Sequence, residues 1–362
     1  MTTFKSMFKL AALTAATVLI SSCSSTPEAG SAEKVEMGVM LPFTGARADI
    51  ANIVRRGMET AEAEINSQNP ERRLSLVYAD SSEGRSAEYL RAFEERGVKA
   101  LHVGLGSESA LCLEDVGKLE GTLVNFACAY PPAAVHVKNA VRIFPNAAEE
   151  CEVMAKTVMA SPDREKRIVI MSVDDLAGKS AGAYMKYETG SMGLKMFSDV
   201  YGDGEKNFDI FAEQIVRLNA DYVMLLGYGD AEAPMLESLK NKGFEGVFAA
   251  NCGPRRKDAG SSGKIAAYAV KTPFELGLDE NPQRVRFAAK YREKFGEAPS
   301  WPAAYGYDGV MLLWRAMEKS GWNAEAARKS LLNSVQKGAA GNIKIDESGD
   351  STSSLKLIRI PQ

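Results

Sequence analysis

Two glycine–serine stretches and one cysteine are the first residues in this chain that could do chemistry. Gly178–Gly182, GKSAG, fits the G-x-S-x-G pattern in which a serine on a strand-to-helix turn attacks an acyl carbon. That reaction needs a histidine later in the chain, and the only two, His102 and His136, both precede it. DDLA also separates the stretch from the apolar run before it, so GKSAG reads as a glycine-rich entry to a helix. Gly260–Lys264, GSSGK, resembles a phosphate loop, but Asp258 stands where the first glycine belongs and Ile265 where a hydroxyl would hold Mg²⁺. GLG at 104–106 and GYG at 227–229 lack the third glycine of a dinucleotide fingerprint. Asp174 and Asp175 could form a carboxylate pair, but the pattern reads more simply as solvated loop acids. No catalytic constellation emerges, and the chain is expected not to be an enzyme.

Cys23 is different, because its setting specifies a reaction. Lys5 and Lys9 precede the apolar run Leu10–Ile20, and Ser21 and Ser22 lead into the cysteine. The run is too short to span a bilayer core of ~30 Å and has the layout of a secretory signal. Ile-Ser-Ser-Cys resembles the bacterial lipobox, in which the thiol becomes the acylated N-terminus. Residues 1–22 are then a signal peptide and 23–33 a flexible tether to the membrane. The alternative is an ordinary cleaved signal with an incidental cysteine.

The 362-residue chain has a formal net charge of −3, which becomes −5 without the leader and its two lysines. A mildly acidic chain without basic blocks excludes nucleic acid as a main partner. Cys112, Cys128, Cys151 and Cys252 show no C-x-x-C, and the histidines stand alone, so neither a metal nor a cofactor is expected. Export would let disulfides persist, and the four cysteines allow three pairings. Placing Cys112 after a third strand and Cys128 past a fourth sets a Cys112–Cys128 bridge against two buried thiols.

The elements that must position any site are legible as apolar runs alternating with amphipathic ones. VEMGVMLP reads as a buried strand, and Ala51–Ser67, with Ile53, Val54, Met58, Ala61 and Ile65, as a helix. The couplet recurs as LSLVYAD with Ser86–Arg96 and KALHVGL with Ser109–Leu119, followed by GTLVNFA. A second series begins with a helix at Ala147–Met159 and runs through RIVIMSV, LKMFSDVY, DYVMLLGY and GVFAAN, with helices at Ala181–Gly190, Phe208–Leu218 and Ala231–Lys242. Such strands predict parallel sheets covered on both faces. Helices are expected at Gln283–Phe295, Ala303–Ser320 and Ala324–Gln336, and a hairpin in GNIKIDESGDSTSSLKLIRI, 341–360.

Six stretches carry a more specific likeness: GVMLPFTGARADI, RRGMETAEAEIN, VGLGSESA, VRIFPNAAEE, DYVMLLGYGDAEAPMLESLKNKGF and PAAYGYDGVMLLWRAMEKSG. With them, Lys34–Gln362 resembles a type I periplasmic binding protein of the branch that includes the Leu/Ile/Val-binding components of amino-acid ABC importers. The resemblance implies an α/β fold of two doubly wound parallel-sheet lobes joined by a multi-crossing hinge. The lobes would be 34–142 plus 272–336, and 145–271 plus 341–362. It also implies capture of a small polar solute, an amino acid or related organic acid, between lobes that close for an ABC permease. The protein would be exported and lipid-anchored, facing the periplasm or the cell exterior. A ligand-sensing or envelope-regulatory protein on the same fold is the other reading.

The same resemblance nominates ligand contacts. A serine and backbone N–H groups after the third strand take the ligand carboxylate in amino-acid-binding members; Ser107 stands there, with Glu108 where a second serine is usual. The next loop reads Cys128, Ala129, Tyr130, and the first loop offers Arg47. In the second lobe Ala177 replaces an expected tyrosine, Tyr228 sits within GYG, and Asn251 and Arg255 occupy the loop that often supplies an acid. The fold therefore transfers more readily than the ligand, and basic residues point to a ligand acid.

Overall fold

The computed structural model of the protein describes residues 32–104, 112–127, 137–159, 166–251, 253, 261–277 and 281–361. A first series of elements comprises β1 (Glu33–Leu41), α1 (Ala48–Gln68), β2 (Arg72–Asp80), α2 (Ser86–Glu95), β3 (Ala100–Val103), α3 (Leu113–Lys118), β4 (Leu123–Phe126) and β5 (Ala140–Arg142). The second runs α4 (Ala147–Met159), β6 (Arg167–Val173), α5 (Leu176–Gly190), β7 (Lys195–Tyr201), α6 (Asp209–Arg217), β8 (Tyr222–Leu226), α7 (Glu232–Asn241), β9 (Val247–Ala250) and β10 (Ala266–Lys271). Then follow α8 (Pro273–Leu276), α9 (Pro282–Phe295), α10 (Trp301–Lys319), α11 (Ala324–Leu331), β11 (Ser334–Gly338), β12 (Gly341–Ile345), β13 (Ser351–Thr352) and β14 (Lys356–Arg359).

Three sheets result, one large sheet per lobe and a small antiparallel one, β11-β12-β13. The first has the order β2-β1-β3-β4-β5 and is wholly parallel. The second has the order β14-β10-β9-β8-β6-β7 and is parallel except for β14. This is the expected α/β architecture of two parallel-sheet lobes. It arises because strands such as YVMLL of β8 are buried throughout and need helices on both faces.

The first lobe is closed by a helix from far along the chain. α10 lies against α1 so closely that a Cβ on Gly57 would fall 1.9 Å from the Ala303 carbonyl oxygen, and one on Gly306 2.4 Å from that of Val54. Only glycine permits that approach. Val54, Met58, Ile65, Ala303, Leu313 and Trp314 then share one core with Ile343 and Ile345 of β12.

Two expectations near the C-terminus fail, wholly or in part, for local reasons. The helix expected to reach Gln336 stops at Leu331, and Asn333 takes a left-handed turn, φ 51°, into β11. Asparagine tolerates that region better than most residues. The expected hairpin forms only in part: β12 pairs antiparallel with the two-residue β13 across the Asp346–Asp350 turn, but the second long run, β14, leaves to pair with β10 in another sheet. The Glu149 carboxylate on α4 accepts from the backbone N–H groups of Ser353 and Leu355, at 2.8 and 3.0 Å, and draws the second run to the second lobe.

The chain passages between lobes are fastened to one another. Arg142, 1 % exposed, donates through Nε to Asp350 Oδ1 at 2.7 Å, and its backbone N–H donates to the Gly349 carbonyl at 2.8 Å. Asn146 Nδ2 donates to the Ser351 carbonyl at 2.7 Å, and Ser351 Oγ to that of Phe144 at 3.1 Å. The passage after β10 opens α8 with a capping box, Thr272 and Glu275 bonding each other's backbone N–H.

His102 belongs to the core rather than to any reactive cluster. Asn125 Nδ2 donates to its Nδ1 at 3.0 Å, which leaves the ring proton on Nε2, 3.2 Å from Met37 Sδ. Burial pushes its pKa down to about 3. An unfolded histidine takes a proton near ~6.5, so stability from this site is complete above that pH and is lost as pH falls toward 3. Denaturant titrations should show a loss on the order of 2–3 kcal/mol from this group between about pH 6.5 and 4.5 that His102→Gln lacks. Equal losses in the two proteins would place the acid sensitivity elsewhere.

Candidate functional site

Open parallel sheets bind ligands beyond the carboxyl ends of their strands, where loops meet exposed backbone groups. In the first lobe that edge is built on β1 and β2. Asp80, ending β2, accepts from the backbone N–H of Phe43 at 2.9 Å and from the N–H and hydroxyl of Ser82 at 3.0 and 2.6 Å. Burial works to raise the Asp80 carboxyl, and hydrogen bonds from Ser82, Thr44 and Phe43 outweigh it and hold it below its ordinary range. The loop after β1 is thereby fixed, and its single 3-10 turn, Gly45–Arg47, leads directly into α1.

From that turn Arg47 reaches into the other lobe. Its guanidinium pairs with Asp175 Oδ2, and its Cζ lies 4.4 Å from the centre of the Tyr228 ring. Tyr228 Oη donates to the same Asp175 oxygen at 2.6 Å. Arg47 and Tyr228 are buried and the Asp175 side chain is 17 % exposed, so solvent screens the pair weakly. Asp175 is held from behind: it is the N-cap of α5, its Oδ1 accepting from Gly178 N–H at 2.7 Å. A carboxylate at a helix N-terminus is favoured by the positive end of the helix dipole.

Local sequence explains this placement. A Cβ on Gly178 would lie 2.0 Å from the Val173 carbonyl oxygen, so glycine lets the first turn of α5 fold back on β6. GKSAG is therefore part of a helix, which starts at Leu176 rather than Ala181. Asp175 is not a solvated loop acid but the centre of the interlobe contact. Tyr228 follows β8, where its neighbour Gly227 leaves room for the Tyr201 hydroxyl, which donates to the Leu226 carbonyl at 3.0 Å. A Cβ on Gly253 would come within 2.2 Å of Gly229 N, so the loops after β8 and β9 touch.

Of the residues nominated from sequence, the structure brings Arg47 and Tyr228 together. Asn251 lies beneath them, fully buried. Its Oδ1 accepts from Gly227 N–H at 3.1 Å, and its Nδ2 donates to the Gly227 carbonyl and to Glu150 Oε2, each at 3.0 Å, so it ties β9 to β8. Ser107, Glu108, Cys128, Ala129, Tyr130 and Arg255, with Cys23, lie outside the described residues. Cys112 is buried at the start of α3, and its expected partner Cys128 lies outside them too. Asp175 was the residue missed; its signal was an aspartate at the spacing of an N-cap. Among the described residues no group of His, Cys, Asp or Glu could hold a metal ion.

What the site offers is a buried guanidinium on an aromatic ring, an arrangement that recognises carboxylates through two parallel hydrogen bonds. Residues 34–351 match the sequence profile of the periplasmic binding proteins. The chain belongs to that family. A Leu/Ile/Val-binding protein homolog 7 from Brucella melitensis is 23 % identical over 327 residues, covering 82 % of this chain and 80 % of the relative. The leucine-binding protein LivK of Thermotoga maritima superposes with a TM-score of 0.72 at 21 % identity, covering 91 % of this chain and 96 % of that one. A solute-binding protein of an ABC transporter from Rhodopseudomonas palustris, in complex with 3,4-dihydroxybenzoic acid, gives 0.73 at 13 % identity, covering 90 % and 93 %. All three are named as binding proteins, and the family to which this chain belongs is one of binding proteins, not of enzymes.

If the Arg47–Asp175 pair holds the lobes together, Arg47→Ala should shift solution scattering of the protein toward a larger radius of gyration. Tyr228→Phe keeps the ring and loses one hydrogen bond to a charged group. It should leave the radius unchanged and lower stability by about 1.5–3 kcal/mol. An unaltered scattering profile in Arg47→Ala would show that the pair is not what closes the cleft.

Proposed function

We propose that this protein is the extracytoplasmic solute-binding component of an ABC importer, tethered to the membrane through an acylated Cys23, and that it captures a small carboxylate between its lobes. The observation that carries the reading is Arg47 crossing from the first lobe to Asp175 and Tyr228 of the second at the carboxyl ends of the strands. A ligand carboxylate competes with Asp175 for the guanidinium, and the Tyr228 ring supplies an apolar wall. Ligands named for the relatives, leucine and 3,4-dihydroxybenzoic acid, both present a carboxylate beside an apolar body. Ser107, Glu108, Cys128, Ala129, Tyr130 and Arg255 complete the contact set by resemblance to the family, while Asn251 braces the backbone of Gly227 beside Tyr228. An ABC permease is the partner that reads closure. Among the described residues no helix is long and apolar enough to cross a membrane, so in this reading the acyl chains supply the attachment.

A thermal-shift and calorimetric screen of branched-chain, acidic and aromatic carboxylic acids, each against its amide, tests the reading. At 100 times its dissociation constant a ligand adds ~2.7 kcal/mol to stability. At least one acid should bind and its amide should not, and Arg47→Gln should weaken binding about tenfold or more. No response to any acid, or equal response to acid and amide, would defeat the carboxylate reading. In cells, Cys23→Ser should yield an unprocessed or soluble form; normal maturation and membrane fractionation of that variant would remove the anchor.

A further inference from the structure

β7 closes one side of the second sheet, and it is an unusual edge. It pairs with β6 on one side, and among the described residues no strand pairs with the other. Six of its seven residues, KMFSDVY, are exposed, including Met196 at 41 %, Phe197 at 37 % and Val200 at 40 %. Proteins usually blunt such an edge with charge, proline or brevity. The opposite edge is shorter and ends in proline: β14 is four residues long and Pro361 follows it, whereas β7 is seven residues long.

The backbone hydrogen bonds show which groups of β7 face outward. Lys195 N–H donates to the Lys166 carbonyl at 3.1 Å, and the Tyr201 carbonyl accepts from Asp174 N–H at 2.8 Å. Residues 195, 197, 199 and 201 therefore turn their peptide groups to β6, and Met196, Ser198 and Val200 turn theirs to the open edge.

We propose that this edge is the docking surface for a second copy of the chain, the two β7 strands pairing antiparallel about a two-fold axis at Phe197. In that register Met196 and Ser198 of each copy exchange backbone hydrogen bonds with Ser198 and Met196 of the other. Phe197 faces its own copy, and Lys195 faces Asp199 of the second copy in a non-hydrogen-bonded pair, where side chains lie closest. Moving the axis by one residue either way sets Phe197 against Asp199 or against Lys195, so charge complementarity selects the Phe197-centred register. A cavity of about 290 Å³ lies between β7 and α5, where Gly182 and Ala183 leave space above Ser198 and Val200. Met196 of the second copy lies opposite Ser198 on that face and enters it. Two short strands and two such plugs, one from each copy, make a small interface, so the dissociation constant falls on the order of 10–100 µM.

Sedimentation equilibrium of the purified protein across about 5–500 µM should show a monomer–dimer equilibrium in that range. Asp199→Lys, which sets lysine against lysine twice, should weaken dimerisation about tenfold, and the swap Lys195→Asp with Asp199→Lys should restore it. Under oxidation Phe197→Cys should cross-link to itself, and Ser198→Cys should not, because only position 197 meets its own copy within disulfide reach. A monomer throughout the range, a dimer indifferent to Asp199→Lys, failed rescue by the swap, or cross-linking without preference for position 197 would each overturn the proposal.

Discussion

A guanidinium withdrawn from water must keep its counter-charge, and in this molecule the two groups belong to different lobes. Arg47 can be buried at the cleft only while Asp175 is beside it, and Asp175 is placed by the first turn of α5 rather than by the cleft itself. This contact between the lobes thus rests on ions and an aromatic face. When the lobes part, both charges regain water, so desolvation offsets much of the attraction. A cleft closed in this way is sensitive to small additions of charge, and a solute carrying one can shift its balance.

The passages between the lobes complement that sensitivity. Arg142 and Asp350 join two of them side by side, and Asn146 and Ser351 add bonds in both directions. Relative motion of the lobes then has to be a bend of a bonded bundle rather than a slide of separate strands. Hinges of this kind absorb change in a few backbone angles and leave the sheets intact.

Much of the architecture was legible because burial dictates composition. RIVIMSV and DYVMLLGY could hardly be anything but covered strands, and the stripe of Val54, Met58, Ala61 and Ile65 marks α1 unambiguously. The C-terminal region was not legible in the same way. Alternation in GNIKI and LKLIR signals strands but says nothing about which sheet receives them, and that was decided by Glu149, some two hundred residues earlier in the chain. The site was partly visible: Arg47 and Tyr228 stood out as departures or matches within a family pattern. Asp175 did not, because a helix cap and a loop acid look alike until the helix start is known.

The packing of α10 against α1 bears on how the chain can fold at all. Tyr307 Oη donates to the buried Glu64 carboxylate at 2.9 Å, across 243 residues of sequence. Gly57 and Gly306 mark the same meeting. The first lobe cannot complete its interior until the last quarter of the polypeptide is available, so contacts of very high sequence separation dominate its formation and slow it. As the chain emerges from its amino end, the first lobe stays incomplete until α10 has followed.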